Sequence, residues 1–133
     1  MVRPEFPLSD PGAAADLMVV AQSEVGPEHP NVVTLDPVGE IDQVSAGLLW
    51  APLAEHLGVS GRHVVLDLSG VEFFASVGVK ILLMAAGWAR ANGSTLAVVV
   101  TTRIVRQPIQ LLGVIDQLPV YSQRADALAA SRG

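Results

Sequence analysis

The stretch HVVLDLSGVEFFASVG, residues 63–78, decides how this chain is read. It opens with a near-continuous apolar run, 64–68, the pattern of a strand covered on both faces. It passes through a short loop and ends on Ser76 and Gly78, where a long apolar helix begins. Ser76 is the expected cap of that helix, its side-chain oxygen offered to free backbone N–H groups. A hydroxyl there lies at the carboxyl end of a strand and the amino end of a helix. In open α/β sheets that edge is where ligands and partners meet the protein. The free N–H groups and the helix dipole favour negative charge at the same point. A phosphate on Ser76 would be tolerated electrostatically by its own chain and would change the surface a partner sees.

Working outward, the helix expected over 76–92 carries Val77, Ile81, Met84, Ala85 and Trp88 on one stripe. Val79, Leu82, Leu83 and Ala86 are apolar too, so the helix is either buried or meets a partner with its second face. Gly93 is its expected stop. Residues 96–100 read as another buried strand, and strand–helix–strand makes a βαβ unit with parallel strands. Upstream, 17–21 and 32–38 read as strands joined in a hairpin across Gly26 and Pro27, with Pro37 favouring an edge or a bulge. A helix follows, capped by Asp42 or Ser45, with Val44, Leu48, Leu49, Leu53 and Leu57 in helical period. Pro52 is expected to kink or split it. Downstream, Thr102 is the expected cap of a third helix over 103–112, distorted or late-starting because of Pro108. Residues 118–121 read as a last strand and 125–130 as a terminal helical turn or two. The class is α/β: a mixed sheet of four to five strands with about four helices, built round a parallel central βαβ unit. Residues 1–15, rich in Pro, Gly and Ala, read as a flexible tail, and 16–131 as one domain.

Composition bounds the function. Half of the 133 residues are hydrophobic but only 5% are aromatic, so the core is aliphatic. The net charge is −5, and the basic residues are scattered, Arg103 and Arg106 being the closest to a pair. That argues against nucleic acid and against a polybasic membrane anchor. No cysteine is present, which excludes disulfides, thiolate catalysis and Cys-ligated zinc. No apolar run reaches the roughly 18 residues of a membrane span, and the N-terminus lacks a signal peptide's apolar core. A cytoplasmic protein is the expectation. His29, His56 and His63 lack metal-ligand spacing. No Gly-x-Ser-x-Gly elbow surrounds Ser76, and no phosphate-cradling glycine loop occurs. Neither catalysis nor a cofactor is expected. Among the acids, Asp42 reads as a helix cap, Asp67 as a strand terminator binding loop N–H groups, and Glu40 as solvated; paired-carboxylate catalysis is the weaker alternative.

Four motifs in order resemble a known family. Val38-Gly-Glu-Ile-Asp42 followed by Ser45-Ala46 resembles the Gly-Glu-hydrophobic-Asp segment of STAS domains, in particular bacterial anti-sigma factor antagonists. Residues 64–71, VVLDLSGV, resemble their central strand and the turn after it. Residues 73–79, FFASVGV, align with their Asp-Ser-Ser/Thr-Gly-Leu switch loop. Gly93 before 96–100, and Leu111-Leu-Gly-Val114, fall in register. The resemblance implies a protein that binds an anti-sigma factor, a serine kinase of the GHKL ATPase type, and so frees a sigma factor. It implies phosphorylation of the matching Ser76 by that kinase, release of the complex, and resetting by a phosphatase. Partner contacts are then expected from Glu40, Asp42, Ala75, Ser76, Val77, Gly78, Val79, Lys80 and Leu83, with Val79 and Leu83 forming an apolar patch. The chain departs from the switch pattern at Ala75, where the family has aspartate, and at Val77, where it has serine or threonine. Lys80, one turn after Ser76, either pairs with a phosphate or is simply solvated. Two further readings stay open: a STAS binding or scaffold module that is not phosphorylated, and an accessory domain for transport of lipid or a small ligand.

Overall fold

Six apolar or alternating segments join one sheet in a computed structural model that describes residues 2–6, 16–24 and 31–130. The strands are β1 (Leu17–Glu24), β2 (Val32–Ile41), β3 (His63–Asp67), β4 (Val71–Phe74), β5 (Thr95–Val99) and β6 (Val120–Tyr121). The helices are α1 (Ala46–Leu57), α2 (Ser76–Asn92), α3 (Arg103–Leu111) and α4 (Arg124–Ala129), with a 3₁₀ turn at Ile115–Gln117. The sheet runs β1-β2-β3-β5-β6, with β4 beside β2. β1 is antiparallel to β2, and the other pairings are parallel. The α/β class and the parallel βαβ unit are therefore as expected, and the strand count is corrected to six. The loop 25–30, where the hairpin turn falls, lies outside the described residues, as do 7–15 of the expected tail.

The extra strand is β4. After β3 the chain turns through Ser69 and Gly70 and lies against the far end of β2, with Glu40 opposite Phe73 and Ile41 opposite Phe74. The register shifts between Gly39 and Glu40. Gly39 has φ +123°, and a Cβ there would run into the Asp16 carbonyl, so this bulge requires glycine.

α1 and α2 bury one face of the sheet: Leu49, Trp50, Leu53, Ile81 and Leu82 pack with Leu35, Leu66 and Val98. On the opposite face Ala127 of α4 closes over Val65, Ala97 and Val99. β3 and β5 are thus covered on both sides, which is why their sequences show no alternation. α1 is one unbroken helix of 12 residues, so Pro52 does not split it. The Leu48 carbonyl that Pro52 leaves without its helical donor belongs to a half-exposed residue, within reach of water. α3 likewise starts at Arg103 and runs through Pro108. α4 is held by charge and by a buried histidine. Arg124 reaches Asp36 at 2.6 Å and Asp67 at 2.8 Å. His63 Nε2–H donates to the Ala127 carbonyl at 2.8 Å, which leaves Nδ1 to accept the Thr95 hydroxyl at 2.6 Å.

Candidate partner-binding site

β4 delivers the chain to the start of α2. The Ala75 N–H donates to the Ile41 carbonyl at 2.9 Å, and the Ala75 carbonyl accepts the Gly78 N–H at 2.8 Å. Ala75 is extended, with φ −79° and ψ 168°, and is itself the N-cap. The expected cap role of Ser76 is corrected: tethering to β2 keeps Ala75 extended, so Ser76 becomes the first helical residue. No side chain caps the helix, and Ser76 is exposed. Its hydroxyl stands where the helix dipole is positive.

The residues after it turn inward. Val77 is 6% exposed, Val79 is 1% exposed, and Gly78 is buried. The expected apolar patch at Val79 is therefore corrected, since that side chain belongs to the core; Leu83 is partly buried and packs on it. Gly78 is required by packing: a Cβ there would lie 2.6 Å from the Phe74 ring. Lys80 is exposed, with its ammonium 5.8 Å from the centre of the Phe6 ring.

The apolar surface beside Ser76 lies on its other flank. A groove of about 480 Å³ is walled by Phe73, Ser76, Ile104, Pro108, Leu111 and Leu112. Phe73 and Ile104 are each 49% exposed and Leu111 is 77% exposed. Sequence reasoning missed these walls. The available signal was Ile104, Leu111 and Leu112 lying off the stripe that α3 buries through Val105 and Ile109.

Glu40 and Asp42 sit beside the same loop, because β2 pairs with β4 there. Glu40 is half-buried, and its carboxyl is pushed up by desolvation, then by Asp16, Asp42 and Glu72. The expected cap is corrected: Ser45 is the N-cap residue of α1 without a side-chain cap bond, and Asp42 closes the turn before the helix, one carboxylate oxygen accepting the Val44 N–H at 2.9 Å and the Ser45 N–H at 3.0 Å. Asp67 ends β3 as expected, accepting the Ser69 N–H at 3.0 Å and its hydroxyl at 2.6 Å. Burial works against its charge, but the Ser69 and Arg124 hydrogen bonds outweigh that and hold its carboxyl below the usual range. Among the described residues no cluster of His, Cys, Asp or Glu could hold a metal ion. No described helix is long and apolar enough to cross a membrane.

This six-stranded sheet, with an exposed serine at the start of the helix after β4, is that of a STAS domain. The family described as "Mlab, STAS domain" matches residues 26–120, and the chain belongs to it. Anti-sigma-F factor antagonist RsfB of Mycobacterium tuberculosis is 35% identical over 108 residues, 80% of this chain and 86% of the relative. The crystal structure of an anti-sigma factor antagonist from Mycobacterium paratuberculosis superposes with TM-score 0.76 at 31% identity, covering 95% of this chain and all of that one. The anti-sigma factor antagonist SpoIIAA in its unphosphorylated form shares the fold, with TM-score 0.64 at 18% identity over 86% of this chain and 97% of its own. The general role of anti-sigma factor antagonist is thus supported by relatives that span nearly all of the domain.

Proposed function

We propose that this chain binds an anti-sigma factor of the serine-kinase type through the face around Ser76, and that phosphorylation of Ser76 ends the binding. The observation that carries this reading is the exposed Ser76 hydroxyl on the rim of the apolar groove between β4 and α3. A partner covering the groove would bury Phe73, Ile104 and Leu111 and bring its ATP to the hydroxyl. The Ser76 oxygen would then form a bond to the γ-phosphorus, the bond to ADP would break, and the hydroxyl proton would pass to a base of the kinase. The product carries about −1.5 to −2 charge at neutral pH. Held unpaired in a closed apolar interface, that charge costs several kcal/mol. Every ~1.4 kcal/mol is tenfold in affinity, so the complex separates. The chain then acts in the cytoplasm as a binding protein, not an enzyme, and a phosphatase restores it.

Incubation with ATP and the host's anti-sigma kinases should add the mass of one phosphate, lost in Ser76→Ala. Ser76→Glu should weaken partner binding, and Ser76→Ala should bind whether or not ATP is present. A second reading is favoured by one observation: the switch position before the serine is Ala75, which offers no carboxylate to orient the hydroxyl. On that reading the chain is a constitutive partner. Unchanged affinity in Ser76→Glu, with no mass shift from any kinase that binds, selects it over the switch.

A further inference from the structure

Residues 2–6 cross α1 and reach α2 as a strap. The Arg3 guanidinium donates to the Ala51 carbonyl at 3.3 Å and pairs with Glu5 at 3.1 Å. The Pro4 carbonyl accepts the Trp50 indole N–H at 2.5 Å. Phe6 meets Trp50 edge-on, with centroids 6.1 Å apart and planes at 66°. Trp50 is only 1% exposed, so its ring is closed in by the core on one side and by the strap on the other. The strap contacts α2 through Lys80, whose ammonium lies over the Phe6 ring.

Lys80 stands four residues after Ser76, on the same face of α2. An exposed ammonium gains little from an aromatic face. A phosphate dianion one turn away offers it a charge-assisted hydrogen bond, which is much the stronger attraction. Lys80 is therefore poised between two anchors, and taking the second removes the strap's hold on α2.

We propose that residues 2–6 form a strap whose docking over Trp50 is coupled through Lys80 to the charge at position 76. With Ser76 unmodified the strap stays down. With phosphate on Ser76, Lys80 turns to the phosphate and the strap's docking over Trp50 loosens. The proposal rests on Ser76 carrying a phosphate, but its test needs no kinase and no partner.

The probe is the Trp50 indole N–H in the full chain, with phosphoserine installed at position 76 during synthesis. Its solvent-exchange rate, read by NMR, reports the bond to Pro4. The Trp88 indole N–H, bonded to the Ala54 carbonyl at 3.0 Å inside the core, is the internal reference. Deleting residues 2–6 defines the released state. Phosphoserine should speed Trp50 exchange about two- to fivefold, toward the deletion variant, with Trp88 unchanged. In Lys80→Gln the phosphate should add nothing further. An exchange rate indifferent to the phosphate overturns the coupling, as does an equal acceleration in Lys80→Gln. Exchange no faster in the deletion variant than in the intact chain overturns the strap itself. Failure of any kinase to modify Ser76 would sink the switch reading above and leave this measurement unaffected.

Discussion

At the scale of single residues, three positions carry consequences that burial and hydrogen bonding fix. Gly78 is held small by the buried Phe74 ring, 2.6 Å from where a Cβ would sit. Gly78→Ala should cost about 1–3 kcal/mol, because the ring closing the start of α2 must move. Denaturant titration measures it, and a value near zero would mean the ring yields freely. Asp67 accepts from Ser69 and Arg124 in the folded protein, and its carboxyl is held low. A depressed carboxylate stabilises the fold above its unfolded value, near pH 4, and that contribution fades as pH falls through the lower folded value. Asp67→Asn should therefore cost about 1–3 kcal/mol at pH 7, and the gap to the unaltered protein should narrow below about pH 4. Glu40 has the opposite sign. Its carboxyl is raised, by desolvation first and then by Asp16, Asp42 and Glu72, so its charged form opposes folding. Glu40→Gln should raise Tm at pH 7, and the advantage should vanish below the carboxylate range. A Tm that falls at pH 7 would show that the Glu40 charge is satisfied in the fold.

At the scale of elements, what sequence conveyed followed from how local each element's cause is. The span of α2 and its stop at Gly93 were legible, because seventeen residues repeat a helical pattern between a loop and that glycine. β3 and β5 were legible as unbroken apolar runs. β4 was not, since VEFF has exposed residues in the middle and buried ones at the ends, and only pairing with the bulged end of β2 makes it a strand. The misassigned cap has the same origin: Ser76 has the better capping side chain, but a hydrogen bond from Ala75 to β2 sets where the helix starts. Ser76 was visible through its motif, while the groove beside it arises from α3 packing near β4, a contact no local pattern announces. α3 sets a buried side chain and an exposed groove wall within one element. Ile109 is fully buried, and Ile109→Ala should cost about 2–5 kcal/mol. Leu111 is 77% exposed, and Leu111→Gln should change stability by no more than about 0.5 kcal/mol. The same Leu111→Gln chain should bind the anti-sigma partner more weakly, in a titration that Ile109→Ala, if still folded, moves less. Equal binding by Leu111→Gln and the unaltered protein would remove the groove from the interface.

At the scale of the whole molecule, the sheet sorts its strands by how completely they are enclosed. β3 lies between β2 and β5, with α1 and α2 over one face and α4 over the other, and its residues are buried throughout. β5 is bracketed by β3 and β6 and shares both covers. β1 is the end of the sheet order, with Met18 63% and Val20 39% exposed on its outer face. α4 is six residues long and depends on Arg124 and on the His63 bond to its last turn. Local opening should follow that ranking, because an amide exchanges only when its own ladder and cover are released. The amides of β3 and β5 should exchange slowest, through global unfolding alone. Those of β1 and α4 should exchange at least about tenfold faster, through openings that leave the core intact. His63→Gln should speed α4 further, while leaving β5 at the global rate once the lost stability is allowed for. Hydrogen exchange followed by mass spectrometry reads all of these in one series. Uniform protection from β1 to α4 would mean that the outer elements open only with the core. A partner docking at the groove beside Ser76 would then meet a rigid body, and any response to phosphate would have to come from side chains alone.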